Sequence, residues 1–360
     1  MSVRSDRRLV ADPGRPWSRS CPGEAWTVVS GRSESSYREP VTGDITVFSG
    51  SAHHEFAEEM CAILGTDLAP SRTTRFSNDC LQVQLRSNCR QRDVYVVQPL
   101  VPPVQENLME LLLMLDAARG ASAAHITAVI PHFAYARSDK KDAPRISIGG
   151  RLVADMLAAA GATRVLTMAL HAPQVHGFFS VPVDHLSATV ELANHFRGQD
   201  LSNTVVVSPD LGNAKVATDF ARILRVPVAA GSKQRLTDDR VVIDRIVGDV
   251  HGKDVIVLDD EIATAGSIIE LLRVLREHGV HKISLACTHG LFTGPAIERL
   301  KQEPDIAEIV ITNTVPLPPE KQLPNIVTRS VAPLFAEAVH RINCGESVSG
   351  LFSDEITYGA

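Results

Sequence analysis

Apolar residues fall in short runs along most of this chain, and the stretches between the runs have helical spacing. Ile45-Thr46-Val47-Phe48 predicts a strand. Phe56, Met60, Ile63 and Leu64 then predict a helix, with Ser51 as its cap and Gly65 as its stop. Further strands are predicted at 94–98, 126–131 and 164–168, with helices at 107–119 and 150–160 between them. The rhythm repeats with strands at 205–207, 255–258, 283–287 and 309–312. Helices are expected to end near Leu224 and, for the one starting at Ser267, at Gly279. Short apolar strands alternating with helices imply an α/β protein with mainly parallel sheets of the doubly wound kind. Two such units are expected, 44–188 and 189–335, with a last helix at about 336–352 free to pack on either. In residues 1–43, Arg, Ser, Pro and Gly mix with little apolar periodicity, which predicts a disordered extension.

Composition changes this picture little. A length of 360 residues suits two domains, and 44% hydrophobic with 22% charged residues is ordinary for a globular chain. A net charge of −6 argues against nucleic acid or an anionic membrane as a partner. No apolar run approaches a membrane span. The cysteines at 21, 61, 80, 89, 287 and 344 lack CxxC spacing, so reduced thiols in a cytoplasm are expected. The run His53-His54-Glu55 is not HExxH and is expected at the exposed start of a helix. Walker A and GxGxxG sequences are absent.

Ligands in open α/β sheets bind outside the carboxyl ends of the strands. Four polar segments are candidates. In VIVLDDEIATAGS (255–267), Asp259 and Asp260 end a strand, and Thr264 to Ser267 lead into a helix whose first N–H groups can cradle a phosphate. The same pattern also fits an ordinary acidic helix cap. In LHAPQVHGFF (170–179), His171 can bind a metal or a phosphate, or be only a hydrogen-bonded structural histidine. In SPD (208–210), Asp210 is either a turn residue or, with His171, part of a magnesium site. The basic stretches ARSDKKDAPR (136–145) and GSKQR (231–235) supply the positive charge that phosphoryl transfer needs. Lys233 and Arg235 are expected in a loop just after a strand, and Lys140-Lys141 reads equally as a solvated face.

These segments, in this order, resemble the ribose-phosphate pyrophosphokinase (PRPP synthetase) family over about residues 44–352. The matching stretches include RFSNDCLQVQL, NLMELLLMLDAAR, ITAVIPHFAYARSDKKDAPRISI, LHAPQVHGFF, VVVSPD, DDEIATAGS and SVAPLFAEAVHRI. RFSND and DDEIAT resemble a bacterial branch. The resemblance implies two domains of the phosphoribosyltransferase type and transfer of the diphosphoryl group of ATP to ribose 5-phosphate with Mg²⁺. It also implies a homo-oligomer, a hexamer or a related dimer-based assembly. It assigns ATP to Phe76, Asn78, Asp79, Cys80, Arg137 and Ser138, and the metal to His171 and Asp210. Lys233 and Arg235 take the catalytic places. Asp259, Asp260, Ala263, Thr264, Ala265, Gly266 and Ser267 match the ribose 5-phosphate loop.

The family loop resembled here reads DDxxDTGGT, so Ala263 stands for Asp and Ala265 for Gly. If position 265 needs a positive φ, Ala there costs on the order of 1 kcal/mol or more. Ala169 stands for Asp, Asn78 and Cys80 for acidic residues, and Gln234 for a basic one. Three readings follow. An active diphosphotransferase is favoured by His171, Asp210, Lys233 and Arg235. A non-catalytic regulatory homologue that binds nucleotides and joins a true synthetase is favoured by Ala169 and Ala265. An ordinary phosphoribosyltransferase shares the loop but not the ATP-type segment.

Overall fold

The computed structural model describes residues 44–235 and 241–351; the predicted extension at 1–43 lies outside them. The first sheet contains β1 (Ile45–Ser49), β4 (Asp93–Val97), β5 (His125–Ile130), β6 (Arg164–Met168) and β7 (Val183–Leu186), all parallel and in that spatial order. A separate antiparallel hairpin, β2 (Ser71–Arg75) with β3 (Leu81–Leu85), stands off from it. The second sheet has the order β10-β9-β8-β11-β12-β13-β14. Its strands are β8 (Thr204–Ser208), β9 (Val228–Arg235), β10 (Val241–Val247), β11 (Asp254–Ile262), β12 (Lys282–Gly290), β13 (Ile306–Thr312) and β14 (Ile326–Arg329). Only β10 runs antiparallel to its neighbour.

The strands are apolar at consecutive positions because both faces are covered. Val94 and Val96 face one core, with α2 (Val104–Gly120) and α3 (Gly149–Ala160). Tyr95 and Val97 face another. Likewise Val255 and Val257 pack with α6 (Gly266–Glu277) and α7 (Ala296–Lys301), while Ile256 and Leu258 point the other way. That central core joins both sheets through α1 (His54–Leu64), α4 (Thr189–Phe196), α5 (Ala214–Leu224) and α8 (Ala332–Cys344). The last helix starts earlier than expected and packs on α1, where the Phe56 and Phe335 rings meet edge to face at 5.3 Å.

Three expectations need correction. Ser51 does not cap α1: His53 precedes the helix, and the Ser51 hydroxyl donates to Glu110 at 2.6 Å. His53 is not exposed with His54 and Glu55. It is buried, and its Nε2–H donates to the Asn313 carbonyl at 2.9 Å. Cys61, Cys80, Cys89 and Cys287 are free thiols, but Cys344 is disulfide-bonded, against the expectation of reduced cysteines. Gly65 does end α1, at φ 67°, where a side chain would be strained.

Candidate functional site

The chain leaves β8 to form β9 on one side and β11 on the other. This is a topological switch point, where open sheets place their ligands. Pairing of β11 with β8 stops at Val257, while pairing with β12 runs on to Ile262. The acidic run Asp259-Asp260-Glu261 therefore continues the strand past the predicted 255–258, and beyond Val257 its flank toward β8 carries no strand pairing. The turn after β8 closes that flank at its base. Asn213 donates its N–H to Asp210 at 3.1 Å and its side-chain amide to the Leu258 carbonyl at 3.3 Å.

The three acids have different surroundings. The Asp259 carboxyl accepts the Asp260 N–H at 2.9 Å. Burial, and then the charge of Asp260, push its pKa well up. Burial acts the same way on Asp260, yet bonds from His171 and from Asp259 outweigh it and hold Asp260 low. The His171–Asp260 contact is 2.6 Å and raises the histidine's pKa in turn. Adjacent carboxyls driven apart in this way give one group able to donate a hydrogen bond and one that stays anionic. Glu261 bridges to the first sheet, reaching Arg137 at 3.2 Å and His132 at 3.4 Å. Burial opposes its ionisation, but these two partners keep its pKa low.

His289, on β12, holds the other side. Its Nε2–H donates to the Ala169 carbonyl at 3.2 Å, so Nδ1 must accept, and the Thr314 hydroxyl lies 2.9 Å from it. Burial lowers its pKa to about 3, so the ring stays neutral. Ala169 itself sits at φ 44°.

The phosphate cradle is the turn into α6. Ala265 adopts φ 59°, ψ 6° as the residue before the helix, the left-handed geometry anticipated for a glycine. Such a conformation costs an L-residue roughly 1–2 kcal/mol. Gly266, Ser267 and Ile268 follow with first-turn N–H groups that the helix does not use. Arg299 braces the turn from behind, donating to the Thr264 carbonyl at 2.8 Å. Ala263 packs with Val101, Leu291 and Val315 in a small apolar cluster, a setting that suits Ala better than a carboxylate.

Asp259, Asp260, His171, Arg137 and the 263–267 turn thus converge. Ser138 follows Arg137, and its hydroxyl accepts the Gly149 N–H at 2.8 Å at the start of α3. Phe76, Asn78, Asp79 and Cys80 form the exposed tip of the β2–β3 hairpin, and their hydrogen bonds stay within it. Lys233 and Arg235 lie in β9, paired with Ile243 and Val241, and not in a loop. Pairing of β9 with β8 ends at Ala230, so Lys233 is carried three residues, roughly 10 Å, past that edge. Sequence reasoning missed Glu261, His132 and His289. Their signal was polar residues within otherwise apolar strand ends.

Residues 45–161 match the family model for the N-terminal domain of ribose phosphate pyrophosphokinase. Residues 235–353 match that of the phosphoribosyl synthetase-associated domain. A putative ribose-phosphate pyrophosphokinase of Streptomyces coelicolor is 66% identical over 309 residues, covering 86% of this chain and 98% of its own. The ribose-phosphate pyrophosphokinase of Deinococcus radiodurans is 49% identical, with 86% and 98% covered. The crystal structure of phosphoribosylpyrophosphate synthetase from Mycobacterium smegmatis superposes with a TM-score of 0.78 at 38% identity, covering 83% of this chain and 98% of that one. The chain belongs to the ribose-phosphate pyrophosphokinase family.

Proposed function

We propose that this protein transfers the diphosphoryl group of ATP to the 1-hydroxyl of ribose 5-phosphate, giving PRPP and AMP. The observation that carries this reading is the meeting of an anion cradle at 263–267 with Asp259, Asp260, His171 and Arg137 at one switch point. The cradle N–H groups hold the 5-phosphate, and the two aspartates hold ribose hydroxyls. Phe76 stacks on adenine, with Asn78, Asp79 and Cys80 in the same tip, and Arg137 and Ser138 meet the phosphates.

The ribose oxygen attacks the β-phosphorus and loses its proton. The bond from that phosphorus to the α,β-bridging oxygen breaks, and AMP leaves. Lys233 and Arg235 stabilise charge on that oxygen, from the stretch of β9 that continues beyond its pairing with β8. Among the described residues no group of three or more His, Cys, Asp or Glu forms a metal cage. Mg²⁺ needs none, since it binds through one or two protein ligands, water and substrate phosphates. The oxygen donor of Asp210, with His171, fits it. When bound, the ion would neutralise phosphate charge.

The reading extends to two units dividing near residue 188, a homo-oligomer and a cytoplasmic setting. No helix among the described residues is long and apolar enough to cross a membrane. The test is direct. Purified protein with ATP, ribose 5-phosphate and Mg²⁺ should release AMP and PRPP in equal amounts, and Lys233→Ala should lose roughly 10²-fold in rate. Folded protein releasing no AMP would reject the activity.

A further inference from the structure

We propose that Glu110, buried in α2, is a positioning residue that fixes the β2–β3 hairpin for nucleotide binding. The inference rests on the reading of Phe76 as the adenine platform. A glutamate on an apolar helix face and only 2% exposed needs partners. Glu110 has four donors. Oε2 accepts the Ser51 N–H at 3.0 Å, the Ser51 hydroxyl at 2.6 Å and the Gln98 amide at 2.7 Å. Oε1 accepts the Thr73 hydroxyl at 2.5 Å. The Gln98 amide is oriented by the Ala52 N–H, 3.1 Å from its oxygen. Gly50 leaves room for it: a Cβ there would lie 2.4 Å from the amide carbon.

Thr73 is the link to function. It lies in β2, three residues before Phe76. The hairpin has no fully buried position in either strand. A lone two-stranded hairpin is marginally stable in water, so its geometry depends on what grips it. Helix α2 grips it twice, because Arg75 also pairs with Glu106. Thr73 and Arg75 lie two apart on one strand face, about 6.7 Å along it. Glu110 and Glu106 lie one helical turn apart, about 6 Å along the axis. The spacings match, and the buried grip is the one that sets the hairpin against the sheet.

Glu110→Ala should speed amide exchange across residues 71–85 and weaken binding of a non-hydrolysable ATP analogue about tenfold. Affinity for ribose 5-phosphate should stay the same. Glu110→Gln should restore both readouts, because its oxygen can serve Ser51 and Gln98 while its amide donates to a rotated Thr73 hydroxyl. Thr73→Val removes the one bond Glu110 makes to the hairpin and should reproduce the loss; it carries the test should Glu110→Ala not fold. Unchanged hairpin exchange, or equal loss of affinity for both substrates, overturns the anchor. Wild-type protein that binds no ATP analogue, with hairpin exchange still faster in Glu110→Ala, would instead reject the nucleotide reading, and with it the positioning role but not the grip.

Discussion

Ala265 shows how far a single residue can be read from sequence. Its place before a helix, where the family loop has Gly, raised the question of a positive φ, and the structure has φ 59° there. Replacing it by Gly engages three effects. Relief of the left-handed conformation gains roughly 1–2 kcal/mol. Greater freedom of the unfolded chain costs roughly 0.4–1 kcal/mol. Loss of the buried methyl, only 4% exposed, costs about 0.8 kcal/mol. Ala265→Gly should therefore change unfolding free energy by less than about 1 kcal/mol. Urea denaturation showing a gain well beyond that would mean the strain at this position exceeds the roughly 1–2 kcal/mol of an ordinary left-handed residue. Glu261 was less legible than Ala265. One residue on a strand alternates faces with its neighbours, but a run of three acids reads as a loop. Only the continued pairing of β11 with β12 reveals that Glu261 is held toward Arg137.

At the scale of elements, the strands buried on both faces were legible because apolar residues hold most of their consecutive positions. The β2–β3 hairpin was not: SRTTR has no apolar residue, and the alternation of LQVQL, whose Val83 and Leu85 pack on the first sheet's core, spans only five positions. Strand β7 was missed too, being a short edge strand with two polar residues. One of those, His185, makes the edge strand matter. Its Nε2 accepts the Leu170 N–H at 2.8 Å and so holds the turn that carries His171. Burial, aided by nearby His176, lowers its pKa from 6.5 to about 4. Below pH 6.5 the unfolded chain takes up a proton that the folded ring refuses until about pH 4. Its contribution to stability is thus complete above pH 6.5 and declines as pH falls. Between pH 7 and pH 5 the loss should be about 2 kcal/mol. His185→Gln keeps an acceptor and cannot titrate, so its unfolding free energy should fall by about 2 kcal/mol less over the same interval. Parallel pH profiles for the two proteins would show that the ring's burial is not what the pH acts on.

At the scale of the molecule, the sequence suggested two units but not what joins them. Apolar patterning names the buried residues of each strand without saying which core each face enters. In the structure, one core takes Val47, Tyr95 and Val97 from the first sheet and Val206, Ile256 and Leu258 from the second. Helix α8 closes this core from the far end of the chain. Phe335 is fully buried in it, against Phe56 of α1. Phe335→Ala should cost about 3–5 kcal/mol, the range for removing a buried aromatic ring. A chain of 360 residues is large for all-or-none unfolding. A core shared by both sheets nonetheless couples them, so the loss should fall on both together. Hydrogen exchange in increasing urea should show the amides of β4 and β11 losing protection in one transition, shifted to lower urea by the same amount in the variant. Were the β11 amides to keep their wild-type midpoint while β4 opened early, α8 would be an attachment to the first sheet alone. The central core would then be two cores in contact.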